Sequence, residues 1–153
     1  MLTFDTIHVA LPAIDTALIE HWVEAVAASY GRRLGKVAYV FVDDATILDV
    51  NRQYLRHDYY TDIITFDYCH GTTVSGDLFI SLDTVRSNAE QLQQPYWREL
   101  HRVMVHGILH LCGINDKGPG EREQMEAAED AALAMLRNMA GGNEELDRQQ
   151  LHL

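Results

Sequence analysis

Several things are scarce in this sequence. It has two cysteines, Cys69 and Cys112, in 153 residues. That is too few for a disulfide framework, and both read as small buried apolar groups in a reducing compartment. No apolar run approaches the roughly 18 residues of a membrane-spanning helix. The opening "MLTFDTIHVALPAID" lacks the basic segment and apolar core of a secretion signal, so a cytoplasmic protein with no membrane contact is expected. Positive charge is also short: 12 Lys and Arg face 23 Asp and Glu, for a net charge of −11. Phosphate contacts come from Lys and Arg, so binding to nucleic acid driven by overall charge is disfavoured. Local patches escape that argument. Arg32, Arg33 and Lys36 cluster, as do Arg52, Arg56 and His57, and Arg86, Arg98 and Arg102; each group taken alone is ordinary solvated charge.

The rest is ordinary globular sequence, 47% hydrophobic and 23% charged. A chain of this length forms one domain and buries roughly two thirds of its unfolded surface. No repeat or linker divides it. "TFDTIHVALP" alternates and stops at Pro12, which predicts a strand. From Ile14 to Tyr30 apolar residues recur at helical spacing until Gly31. "KVAYVFVDD" is a strand, and Asp43 or Asp44 caps the helix after it. "DIITFDY" and "GDLFISL", joined by a short turn, predict an antiparallel hairpin. "SLDTVRSNAEQLQ" begins with a helix-capping residue, and Pro95 opens the helix "PYWRELHRVMVHGILHLCG". A last helix from about Gly120 to Met139 presents Met125, Ala128, Ala132 and Met135 inward. The order β-α-β-α-β-β-α-α-α predicts an α/β (α+β) domain over 1–140, with a mixed sheet of about four strands and about five helices. Residues 141–153 are expected to be a flexible tail.

The chemistry concentrates in "HGILHLCGIND". His106 and His110 are four apart, so on a helix they stand one turn above the other on one face and can offer two imidazole nitrogens to one ion. Gly113 reaches positive φ without steric cost, which lets the chain turn back. Asp116, three residues on, can then bring a carboxylate to the same ion. Asn115 is a rival, though a neutral amide is a poorer zinc ligand, and Lys117 cannot ligate while protonated. His101, five residues before His106, falls on another face and reads as a surface residue or as a support behind the ligands. H-E-x-x-H proteases keep a general-base glutamate after the first histidine. Gly107 stands there, so a standard peptidase mechanism is disfavoured and metal-assisted phosphodiester hydrolysis fits as well.

These residues resemble the YbeY-type endoribonucleases, a family of bacterial ribosomal RNA maturation proteins whose motif reads H-G-x-L-H-L-x-G-Y-D-H. "NRQYLRHDYYTDIITFDY" resembles the family's Asn-x-x-Tyr segment and its Thr-Asp-Val-Leu-Ser-Phe. "GDLFIS" resembles Gly-Asp-Ile-x-Ile-Ser, and Met125 with Glu129 falls on Met-x-x-x-Glu. The likeness runs from about Asp43 to Glu129. It implies a zincin-like metal helix with one zinc ion per chain held by His106, His110 and Asp116. It further implies single-strand cleavage in ribosomal RNA processing, with ribosomal RNA, the small ribosomal subunit and ribosome-associated proteins as partners. Three departures stand out. Asp116 replaces the third histidine, Ile114-Asn115 replaces Tyr-Asp, and Leu55 sits where many members have arginine. Arg56, one place later, is the candidate to grip a phosphate. Asp62 and Asp77 are candidates to orient a ligating histidine. No residue is assigned as general base. The alternatives are a non-catalytic ribosome-biogenesis factor with a structural metal, and a metallopeptidase-like hydrolase.

Overall fold

The computed structural model describes residues 1–57, 61–142 and 145–147. Its elements are β1 (Leu2–Ile7), α1 (Thr16–Ser29), β2 (Arg33–Val42), α2 (Asp44–Tyr54), β3 (Ile63–Asp67), β4 (Thr73–Ser81), α3 (Leu82–Leu92), α4 (Tyr96–Leu111) and α5 (Glu121–Ala140). The strands lie in the order β1-β2-β4-β3. The first two neighbour pairs are parallel, while β3 and β4 form the antiparallel hairpin. The sheet is therefore mixed, as the sequence implied, and β3 is an edge strand.

Alternation along the strands divides the core in two. Val37, Tyr39 and Phe41 of β2 and Val74, Leu78 and Ile80 of β4 face a large cluster built with α1, α3, α4 and α5. The opposite face carries a smaller cluster of Val42, Ile47 and Ile64, with Phe66 and Phe79 packed on it, under α2. Local chemistry starts two of the helices where the sequence placed them. Asp43 Oδ1 accepts from Thr46 N at 2.9 Å at the start of α2, and Ser81 Oγ accepts from Thr84 N at 3.3 Å at the start of α3. Asp44, the other capping candidate, instead accepts the Ser81 and Thr84 hydroxyls at 2.6 Å each, tying α2 to α3.

α4 is the central helix. Position 107 is pressed against the sheet: a Cβ on Gly107 would lie 2.9 Å from Ile63 Cδ1 and 3.0 Å from Leu78 Cδ2. Only a residue with no side chain lets the helix lie this close to β3 and β4. Tyr39 Oη donates to Met104 O at 2.9 Å and fixes the helix along its axis. One expectation needs correcting. His101 is buried rather than at the surface, with its ring against those of Trp22 and Trp97. Its imidazole fills an apolar space between α1 and α4. Of residues 141–153, expected as a tail, 143–144 and 148–153 lie outside the described residues, and Gly141 and Gly142 are left-handed. However, Leu146 is buried and Asp147 Oδ1 accepts from Trp97 Nε1 at 2.6 Å, because Leu146 covers apolar surface that α4 and α5 leave open. Among the described residues, no helix is long and apolar enough to cross a membrane.

Candidate metal centre

α4 ends at Leu111, and Gly113 at φ 92° reverses the chain. The turn is closed by Gly113 N donating to His110 O at 2.9 Å and Ile114 N to Leu109 O at 3.0 Å. Such a positive φ is open to glycine and costly for other residues. The reversal carries Asp116 back over the helix it has just left. Asp116 Oδ2 lies 3.4 Å from His106 Nε2 and 3.5 Å from His110 Nε2. One ligating atom from each of the three residues falls within 4.8 Å of the others. Two ligands in a zinc tetrahedron, at about 2.0–2.1 Å from the ion, stand about 3.3–3.4 Å apart. The carboxylate therefore already sits one tetrahedral edge from each imidazole, and the donor set fits a cation of zinc's size.

The His106 ring is held from behind. Its Nδ1 donates to Glu129 Oε2 at 2.7 Å, which leaves the Nε2 lone pair for an ion. Burial lowers the His106 pKa, but the Glu129 hydrogen bond and the charges of Glu129, Asp116 and Asp62 outweigh it, and the net shift is upward. For His110, burial and then the neighbouring His106 push the pKa down. The two rings meet edge to face, with centroids 4.5 Å apart.

Two clefts meet at the triad, and Asp62, His106 and Asp116 line both. One, of 390 Å³, runs towards α5 and is walled by Glu99, Arg102, Arg122, Glu126 and Glu129. The other, of 560 Å³, runs along β3 and is lined by Asn51, His57, Thr61, Thr65, Asn115 and Lys117 among others. Carboxylates line both: Asp62 and Asp116 are shared, Glu99, Glu126 and Glu129 join them in the first beside Arg102 and Arg122, and Asp67 joins them in the second beside Lys117, hydroxyls and amides.

A family model for endoribonuclease YbeY matches residues 7–137. The chain belongs to the endoribonuclease YbeY family. It is 67% identical to the endoribonuclease YbeY of Phocaeicola vulgatus over 136 residues, covering 89% of this chain and 99% of that one. To the endoribonuclease YbeY of Bacteroides thetaiotaomicron it is 66% identical over 134 residues, covering 88% and 98%. The solution structure of TM1509 from Thermotoga maritima shares the fold at a TM-score of 0.60 and 21% identity, covering 90% of this chain and 93% of that one. A YbeY chain is thus the frame for the remaining sequence candidates.

They fare unequally. Asp62 sits where the clefts join, near enough for its charge to act on His106, and burial raises its pKa. It hydrogen-bonds neither ligand ring; Glu129 does that instead. Asp77 is excluded as a support, because it alternates with the inward-facing Leu78 and so lies on the α2 side of the sheet. Arg56 is exposed at a left-handed φ of 57°, and the β3-side cleft is lined there by Leu55 and His57. Arg56 itself is not among the residues that line either cleft. Tyr59 and Tyr60, within the family-like segment, lie outside the described residues. Glu129 is what residue-by-residue reading missed, since a glutamate on a polar helix ordinarily faces water. The only signal was its place in Met-x-x-x-Glu.

Proposed function

We propose that this chain is a zinc-dependent endoribonuclease that cleaves single-stranded RNA during ribosomal RNA maturation, with His106, His110 and Asp116 as the ligands. The observation that carries the reading is the spacing of the three donors, 3.4 and 3.5 Å across the carboxylate, at the open junction of two clefts. A divalent ion bound there supplies an acidified water and a Lewis acid for a phosphodiester. The chain's own residues do the rest. Glu129 holds the His106 tautomer. The RNA strand runs in the β3-side cleft, where Lys117 meets phosphate and Thr61, Thr65 and Asn115 offer hydrogen bonds. Peptide cleavage is disfavoured because position 107, where such proteases keep their base, faces Leu78 and Ile63 rather than the cleft.

The test is elemental analysis of wild type and Asp116→Ala, followed by RNA cleavage with His110→Ala. About one zinc per wild-type chain, lost in Asp116→Ala, is expected for this three-ligand site. Cleavage by His110→Ala should fall at least about 100-fold while the fold persists. Full metal retention in Asp116→Ala would remove it from the ligand set. A collapse of the thermal midpoint in His110→Ala would instead indicate a structural ion in a ribosome-assembly factor.

A further inference from the structure

Arg102 lies one helical turn before His106 on α4 and reaches across to α5. Its Nη1 donates to Glu129 Oε1 at 2.7 Å, and its Nη2 donates to Asp130 Oδ1 at 2.7 Å. The second oxygen of the same Glu129 carboxylate accepts the His106 Nδ1 proton at 2.7 Å. We propose that Arg102 is a positioning residue for the metal centre: by gripping one oxygen of Glu129, it fixes the other against His106 and aims Nε2 at the ion site. This rests on reading His106, His110 and Asp116 as ligands.

The geometry supports this in three ways. A carboxylate is planar, so holding Oε1 removes the rotation by which Oε2 could swing away from the imidazole. Glu129 is also only 7% exposed, and it shares its cleft with Asp62 and Glu99. An unpaired carboxylate in that company would carry a large desolvation cost. Arg102 is the cation that touches it, whereas Arg122 in the same cleft pairs with Glu126 at 3.4 Å. Lastly, the guanidinium bridges two carboxylates with two different nitrogens, so it sets the α4–α5 spacing that Glu129 must span. A lysine ammonium lacks that fork and would serve the pair less well.

The experiment measures zinc dissociation constants by competition with a chromophoric chelator, starting from metal-free protein. The chains are wild type, Arg102→Met, Arg102→Lys, Glu129→Gln, the Arg102→Met/Glu129→Gln double variant, and Arg98→Met as a control. Arg98 is on the same helix but bonds Gln94 instead. Losing a partner behind a ligating histidine typically weakens metal binding about 10–100-fold. Arg102→Met should therefore bind zinc about 10-fold more weakly, Arg102→Lys should recover part of the loss, and Arg98→Met should match wild type. Because Arg102 acts through Glu129, the double variant should be no weaker than Glu129→Gln alone; contacting residues in one network couple in this way. A merely structural arginine would lower the thermal midpoint without this coupling in zinc affinity. Wild-type affinity in Arg102→Met, or a double variant showing the product of the two single losses, overturns the proposal. If wild type binds no zinc, the ligand assignment fails and takes the proposal with it; zinc binding that ignores position 102 removes the proposal alone. Should Arg102→Met not fold, Asp130→Asn releases only the exposed half of the clamp. It should weaken zinc binding by a smaller factor, and no change there also overturns the idea.

Discussion

Gly107 shows how much a single position decides. The helix interior would gain about 1 kcal/mol from alanine in place of glycine. Against that stand Ile63 Cδ1 at 2.9 Å and Leu78 Cδ2 at 3.0 Å from the new methyl, and overpacking of this kind costs about 1–3 kcal/mol. Gly107→Ala should therefore be destabilised by about 1 kcal/mol overall in urea unfolding. Stability equal to or above wild type would show that the helix position is not set here. The sequence shows the absent protease glutamate but not its cause, which is a contact with residues distant in the chain. Gly113 is the opposite case. Its positive φ could be read from the motif, because a helix that must reverse within three residues needs a left-handed residue at its end. Glu129 was legible only through the family motif, since its two partners, Arg102 and His106, belong to another helix.

Among the elements, α4 was the most legible and carries most of the site. Pro95 begins it, Gly113 ends it, and its apolar face is long. What the pattern could not give is which side of the sheet it covers, and therefore which of Asp62 and Asp77 it meets. Adjacent strands and the period-two alternation settle that: Asp77 goes to the α2 face and Asp62 to the cleft. What holds residues 145–147 likewise depends on distant elements. A polar stretch following two glycines looks unattached until Leu146 is seen covering α4 and α5. Leu146→Ala should cost about 2–3 kcal/mol, lowering the thermal midpoint by about 5–10 °C for a domain of this size. A midpoint within a degree of wild type would mean the segment does not pack in solution.

For the whole molecule, two buried titrating groups oppose each other. Burial, then Asp62, and further Glu129, against Arg102, push the Glu99 carboxyl up to about 7. The unfolded value is about 4.3, so between the two the folded state holds a proton that the unfolded state has lost, and stability falls as pH rises through that window. Burial pulls His101 down to about 4. Its unfolded value is about 6.5, so stability falls as pH drops from there towards 4. The two slopes largely cancel between about pH 4.5 and 6.5, leaving a decline on the alkaline side. In metal-free protein, Glu99→Gln should add stability of the order of 3 kcal/mol at pH 8 and almost none at pH 4, measured by urea midpoints. A gain equal at both pH values would show that Glu99 is ionised in the folded state throughout. The sequence by itself determined the elements, the ligand set proposed for the metal and the family, because helical spacing, a reversing glycine and donor chemistry are local properties of the chain. Only the tertiary structure decided that Glu129 and Arg102 stand behind His106, that Asp77 lies on the α2 side of the sheet, and that two clefts meet at the proposed ligands. Those outcomes depend on which faces of distant elements are pressed together, and no local pattern encodes that.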